Sequence, residues 1–104
     1  MFKIVAVGEE EQIMGFRGIG ADLINVDSPE VIGDILKKLS QDTSISLIMI
    51  TETMAKDCMA KIAGLREKSP AIVLLIPPHT GTHNLSLQEI RLEIEKAAGI
   101  DLLN

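Results

Sequence analysis

The chain has 104 residues and a formal net charge of −5, and only 2% of its residues are aromatic. This length predicts a single domain with a core of its own, which must be aliphatic because Phe2 and Phe16 are the only aromatic residues. The acidic balance argues against nucleic acid as a partner, since a polyanion would be repelled and few aromatic rings are present to stack on bases. The single cysteine excludes an internal disulfide. No apolar run approaches the roughly 20 residues that span a bilayer.

The first 26 residues predict a strand, a helix and a second strand. Phe2–Val7 is short, apolar and β-branched, which is typical of a strand. Glu9–Ile19 predicts a helix whose first-turn glutamates suit the positive end of its dipole and lie in solvent. Gly18 and Gly20 allow this helix to end and turn tightly into the next strand. That strand, Ala21–Val26, is less apolar and is expected at a sheet edge.

The middle of the chain predicts two more helix–strand units. Ser28 is the expected cap of a helix that has Pro29 in its first turn, and a third strand follows at Ser46–Ile50. Residues 51–53 offer caps for the next helix. Its apolar stripe consists of Met54, Cys58, Ile62 and Leu65. Residues 71–76 form an almost wholly apolar fourth strand, as expected for a parallel strand covered on both faces.

We expect the chain to divide into a Rossmann-like domain, residues 1–78, and a polar loop with a helical tail, residues 79–104. Within the tail, Ser86–Ala98 predicts a capped amphipathic helix, and further apolar residues follow it. These apolar residues either fold back on the sheet or contact a partner.

Three consecutive strand–helix–strand units predict the fold class. It is an α/β fold, a small Rossmann-like (flavodoxin-like) sandwich with a four-stranded parallel sheet flanked by helices, plus a C-terminal helix. The expected strand order places the first strand inside the sheet and the second strand at an edge.

The loop after the first strand argues against a nucleotide cofactor. The dinucleotide fingerprint requires G-x-G-x-x-G directly after that strand, where backbone must approach a pyrophosphate. Here Gly8 is followed by Glu9, Glu10 and Glu11, and three carboxylates would repel a phosphate. The Gly-Lys-Ser/Thr pattern of phosphate-binding loops is also absent from the sequence.

A receiver-like signalling or ligand-binding module is the principal alternative. Phosphorylation on aspartate would require an Asp at the end of the third strand and a Lys after a later strand. The chain has Thr51 at the first of these positions and Pro77-Pro78 at the second. A small α/β enzyme, with a site built from the loops at Gly8, Thr51 and Pro77, is a further alternative.

The histidines and the cysteine do not predict a metal site or a catalytic site. His79 and His83 have a spacing that suits a metal on a helix, but the intervening Gly81 favours a loop. Cys58 lies on an apolar stripe and is expected to behave as a small buried hydrophobe. We therefore expect no catalytic residue, no metal and no cofactor.

Four stretches resemble the F subunit of the V-type and A-type rotary ATPases. They are FKIVAVG at residues 2–8, GFRGIGAD at 15–22, LIMITETMA at 47–55 and SPAIVLLIPP at 69–78. Their order and spacing cover most of the chain. An acidic turn after the first stretch and a helical tail at the end are similar to the family as well.

The resemblance implies a non-catalytic subunit of the central rotor stalk. In that family the F subunit docks on the coiled-coil shaft, the D subunit, and the pair links ATP turnover to ion movement in the membrane ring. Its C-terminal segment can reach along the shaft toward the catalytic head. The expected partners are therefore the D subunit of the rotor shaft and, through the tail, head subunits. The expected location is cytoplasmic, peripheral to the membrane through the complex.

Two segments are candidates for the partner interface. In the first, Arg17 is a residue type favoured at interfaces, and Phe16 either faces the shaft or packs in the core with Ile13 and Ile19, which share its helical spacing. The second segment is the apolar side of the tail. The candidate interface residues are Gly15, Phe16, Arg17, Gly18, Ile90, Ile94, Ile100, Leu102 and Leu103.

Overall fold

The computed structural model describes residues 3–77, which form one parallel sheet in the order β2-β1-β3-β4. The strands are β1 (Lys3–Gly8), β2 (Asp22–Asn25), β3 (Ile45–Thr51) and β4 (Ile72–Ile76). The α-helices are α1 (Glu10–Ile13), α2 (Ile32–Ser40), α3 (Glu52–Ala55) and α4 (Met59–Lys68), with 3₁₀ helices at Met14–Ile19 and Pro29–Val31. The predicted four-stranded parallel α/β sheet is confirmed, with the first strand inside and the second at an edge.

Several predictions lie outside the described residues. They concern the boundary after residue 78, the histidine loop and the tail helix, together with the candidate residues Ile90, Ile94, Ile100, Leu102 and Leu103.

Alternation along β1 and β3 assigns their apolar side chains to two opposite faces of the sheet. Val5 and Val7 pair with Ile48 and Ile50 in register. These four side chains belong to the core cluster on the first face, which α2 and α4 cover. The alternate residues of the same strands face the other way. They are Ile4, Ala6, Leu47 and Met49, and with Ile13 and Phe16 they form the cluster on the second face.

The first predicted helix differs from expectation, because only Glu10–Ile13 is α-helical and Met14–Ile19 is a 3₁₀ helix. A 3₁₀ helix has three residues per turn, so residues three apart stand in one row. That geometry directs Ile13, Phe16 and the partly buried Ile19 toward the same face of the sheet. The helix ends at Gly20, whose φ of 86° is the left-handed conformation expected of a glycine cap.

The next two predicted helices are also modified at their ends. Ser28 caps as predicted, since its Oγ accepts a hydrogen bond from the backbone N–H of Glu30, although the first turn is 3₁₀ rather than α. The helix predicted after β3 is broken at residues 56–58 into α3 and α4. Buried residues on both sides of the break, Met54 and Ile62, still pack in the same core cluster.

Strand β4 is less covered than its apolar sequence predicts. Among the described residues it pairs only with β3, so it forms an edge of the sheet. Ile76 is buried, whereas residues 73–75 are partly buried and Ile72 is 37% exposed. The difference follows from its outer position, where a neighbouring strand is present on one side only.

Candidate functional site

The strand order reverses between β1 and β3, and ligands of doubly wound sheets bind beyond the carboxyl ends of the strands at that point. Gly8 ends β1 here, and Thr51 ends β3. A Cβ added to Gly8 would overlap the Thr51 methyl group and lie 2.6 Å from Thr51 Oγ1. Only glycine therefore allows the two strand ends to approach this closely.

The carboxylate of Glu9 fills this edge by binding side chains from the neighbouring loop. Thr51 Oγ1 donates a hydrogen bond to Glu9 Oε1 at 2.7 Å, and the Thr53 hydroxyl donates to Glu9 Oε2. Gln12 Nε2 also donates to Oε2, at 3.0 Å. Thr51 has no exposed surface. The network ties the loop after β1 to the loop after β3, although the bonded pairs are 42 and 44 residues apart in the chain.

The hydrogen bonds determine the charge state of Glu9. Partial burial acts to raise the pKa of this carboxyl, but the hydrogen bonds from Thr53 and Thr51 outweigh it and lower the pKa below its usual value. Glu9 is therefore anionic at neutral pH. The carboxyl ends of β1 and β3 therefore carry a negative charge that already accepts hydrogen bonds from Gln12, Thr51 and Thr53, which disfavours phosphate binding there.

Two predictions about this edge are wrong in detail. The sequence places all three glutamates in solvent, and Glu10 and Glu11 are indeed exposed, but Glu9 is partly buried because its carboxylate accepts hydrogen bonds from two threonines. The sequence also offers Thr51 as a cap of the following helix. Thr51 stands at the N-cap of α3 but makes no side-chain cap bond, and its hydroxyl donates to Glu9 instead.

The enzyme alternative requires a site at Gly8, Thr51 and Pro77. The structure brings Gly8 and Thr51 together, and Pro77 follows Ile76, which is the register partner of Thr51. The neighbouring groups are a carboxylate, two hydroxyls and an amide. The Glu9 carboxylate is the base beside these hydroxyls, but its lowered pKa makes it a weak base, and Thr51 has no exposed surface to present its hydroxyl to a substrate. Within residues 3–77, no cluster of three His, Cys, Asp or Glu side chains is placed to hold a metal.

Cys58 is buried as expected, with 6% of its surface exposed. Its Sγ donates to the Met54 carbonyl oxygen at 3.1 Å, and burial raises the pKa of the thiol. A buried thiol with a raised pKa is a poor nucleophile, so its role is packing.

The structure separates the candidate residues of the first helix into core and surface. Phe16 is 2% exposed, so its ring packs against the second face of the sheet and does not face a partner. Gly15, Arg17 and Gly18 are exposed, and so is the neighbouring Met14 at 58%. We call the exposed residues Met14, Gly15, Arg17 and Gly18 the 14–18 surface. Sequence reasoning did not identify Met14 as an exposed residue. The signal was its position outside the row of residues 13, 16 and 19, which face the sheet.

Across the described range, no helix is both long enough and apolar enough to traverse a bilayer.

These features define a small Rossmann-like α/β domain whose usual ligand edge is occupied by its own side chains. Residues 4–94 match the family of the ATP synthase (F/14-kDa) subunit, and the chain belongs to that family.

The relatives are V-type and A-type ATP synthase subunits of nearly the same length. The F subunit of the V-type ATP synthase of Clostridium perfringens is 32% identical over 97% of this chain and 95% of its own length. The V-type F subunit of Fusobacterium nucleatum is 30% identical over 99% and 97%. The A-type F subunit of Methanococcus maripaludis strain C7 is 26% identical over 96% and 98%. The resemblance to the F subunit is thus confirmed, and with it a role as a component of a V/A-type ATP synthase rather than as a separate enzyme.

Proposed function

We propose that this chain is a central-stalk subunit that docks on the coiled-coil shaft, the D subunit, and couples ATP turnover in the head to ion transport. Family membership supports a place in the complex. One combined observation supports the docking role. The carboxyl ends of β1 and β3, where such folds bind ligands, are occupied by the Glu9 network, whereas the 14–18 surface is exposed. The chain then acts by packing against a partner and meets the membrane only through the complex.

The 14–18 surface has the chemistry of a protein contact. Met14 is a large apolar side chain exposed to 58%, and methionine and arginine are enriched at interfaces. A Cβ at Gly18 would meet nothing within 4 Å, so the backbone here is open to the close approach of a helix. Phe16 is buried beneath this surface and fixes it to the sheet. The surface is therefore rigidly supported, as a torque-bearing contact requires.

Co-expression with the D subunit tests the proposal. The two chains should elute as one complex at micromolar concentration, with on the order of 1,600 Å² buried in total. Met14→Asp should weaken the complex at least tenfold, because a charge would be desolvated at the contact. Val31→Asp is the matched control, since Val31 is also apolar and 48% exposed but lies beside α2. Separate elution of the wild-type chains would refute docking, and equal weakening by both variants would refute this location.

A second part of the proposal concerns residues 79–104, which we propose contact head subunits. A chain that ends at Pro78 should retain the sheet and its binding to the D subunit but change the ATPase activity of the reconstituted complex. The amphipathic sequence at Ser86–Ala98 and the apolar residues after it support this assignment. Unchanged ATPase activity would remove the regulatory role. Loss of cooperative folding would show that the tail belongs to the core.

A further inference from the structure

The outer seam between α2 and α4 forms a groove of about 270 Å³. Each helix lines it with residues at spacing i, i+3, i+4 and i+7, which is one continuous helix face. On α2 this face begins at Gly33, and on α4 it begins at Lys61. We call this feature the α2–α4 groove.

Small and buried residues make the groove concave. Gly33 and Gly64 add no side chains to it, and Leu36 and Leu65, each 3% exposed, form an apolar floor. A Cβ at Gly64 would meet nothing within 4 Å, so that side of the groove is open. A Cβ at Gly33 would lie 2.8 Å from Lys61 Nζ, so the Lys61 side chain crosses the other side.

The rim of the groove is positively charged. Lys37, Lys61 and Lys68 line it, all three are exposed, and no acidic residue lines it with them. None of the three forms an ion pair with an acidic residue within residues 3–77, where the only such pair is Lys3–Asp42. Six of the ten Lys and Arg residues lie between positions 37 and 68, although the chain carries a net charge of −5. The same stretch holds four Asp and Glu residues, so its formal charge is +2 (six minus four).

We propose that the α2–α4 groove binds an acidic amphipathic helix of another subunit. Carboxylates three or four residues apart along such a helix would face the three lysines, and a small apolar stripe between them would face Leu36 and Leu65. This surface is independent of the 14–18 surface, because α2 and α4 cover the first face of the sheet, whereas the 3₁₀ helix covers the second. The chain would thus contact two partners from opposite faces.

A protein helix fits the groove better than an anionic membrane does. A bilayer is flat and would contact the lysine tips but not the concave floor between two helices. Three lysines also give weak membrane attraction, and acidic residues elsewhere on the chain oppose it. The groove between two packed helices instead presents a seam in which a third helix can lie.

Lysine labelling of the assembled ATP synthase tests the proposal. An amine-reactive acetylating reagent is applied to the isolated full-length chain and to the purified complex, and modification at each lysine is quantified by mass spectrometry. We expect Lys37, Lys61 and Lys68 to be protected at least fivefold in the complex. Lys38, exposed on α2 but outside the groove, is the internal control and should react equally in both. Equal reactivity of the groove lysines in both samples would overturn the proposal, and so would protection already present in the isolated chain.

Carbodiimide crosslinking of the same complex identifies the occupant. The groove lysines should link to Asp or Glu residues spaced three or four apart on a helix of another subunit. The triple change of Lys37, Lys61 and Lys68 to Gln should weaken that contact about tenfold, while Lys38→Gln leaves it unchanged.

Binding to the D subunit is measured separately, so failure of the groove proposal is distinct from failure of the stalk proposal. Protection by vesicles of three parts phosphatidylcholine to one part phosphatidylglycerol, without protection in a detergent-solubilised complex, would overturn the protein assignment.

Discussion

Replacing Thr51 by Val isolates the hydrogen bond that joins the β1 and β3 loops. Thr51 has no exposed surface, and its hydroxyl donates to Glu9 Oε1 at 2.7 Å. Valine has nearly the same shape, so the change removes the donor without opening a cavity. The variant should fold with the same sheet and be less stable at neutral pH.

The expected loss is about 1 kcal/mol. Hydrogen bonds to charged groups contribute about 1.5–3 kcal/mol to stability. The Glu9 carboxylate is only partly buried and keeps its bond from Thr53, and the methyl group of valine gains some apolar burial, so the loss falls just below this range. In urea, about 1 kcal/mol corresponds to a midpoint shift of roughly 0.3–1 M for a domain of this size.

Far-UV circular dichroism is the assay, because the chain has no Trp or Tyr for fluorescence. Urea unfolding of the wild type, Thr51→Val, Glu9→Ala and the double variant forms a cycle that yields the coupling between the two side chains. The coupling energy should be about 1 kcal/mol at pH 7, just below the range for a bond to a fully buried charged group. A coupling energy near zero would refute the inference that the hydroxyl and the carboxylate stabilise each other.

The same cycle should depend on pH in a defined direction. Because the folded-state pKa of Glu9 is lowered, its stabilising effect is fully present above the ordinary glutamate pKa of about 4.3. It is lost as the pH falls through the lowered value. The difference between the wild type and Thr51→Val should therefore shrink at acidic pH. A difference that stays constant from about pH 7 to about pH 3 would contradict a charged acceptor.

Three further outcomes test individual positions, each measured on the full-length chain. Gly20→Ala should lower the free energy of unfolding by about 1–2 kcal/mol, because φ is 86° at this position. Gly18→Ala should leave stability unchanged or raise it by up to about 1 kcal/mol, because a Cβ there meets nothing within 4 Å. If urea unfolding shows Gly18→Ala to be the less stable variant, the assigned conformations are wrong. Phe16→Ala should cost about 3–5 kcal/mol, as for a buried aromatic residue, and a loss below about 1 kcal/mol would show that the ring is not in the core. Cys58 should react with a thiol-specific disulfide reagent only as fast as the protein opens, and rapid stoichiometric reaction of the native chain would disprove its burial.

Local sequence signals determined most of the sheet. The short apolar runs between turn residues predicted four parallel strands, because strands inside such a sheet bury both of their faces against neighbouring layers. The cap at Ser28 and the turn at Gly20 were also readable, since each depends on the chemistry of one residue and its nearest neighbours. The burial of Cys58 followed from helical spacing.

The form of the first helix required the tertiary structure. Helical spacing of Ile13, Phe16 and Ile19 is compatible with an α-helix, but contact with the sheet favours the 3₁₀ row that places all three on one line. The same packing decided that Phe16 is a core residue and that Met14 is exposed.

The two candidate sites depend on strand order and helix packing, which no local pattern encodes. Glu9 meets Thr51 and Thr53 only because β1 and β3 are neighbours, although 42 and 44 residues separate the bonded pairs. In the same way, the lysine rim arises because α2 and α4 pack side by side on one face of the sheet. The strands, the Ser28 cap and the family can thus be read from the sequence, since each is carried by residues close together in the chain. Which distant side chains meet follows from the folded arrangement alone, because it depends on the order in which the strands pair.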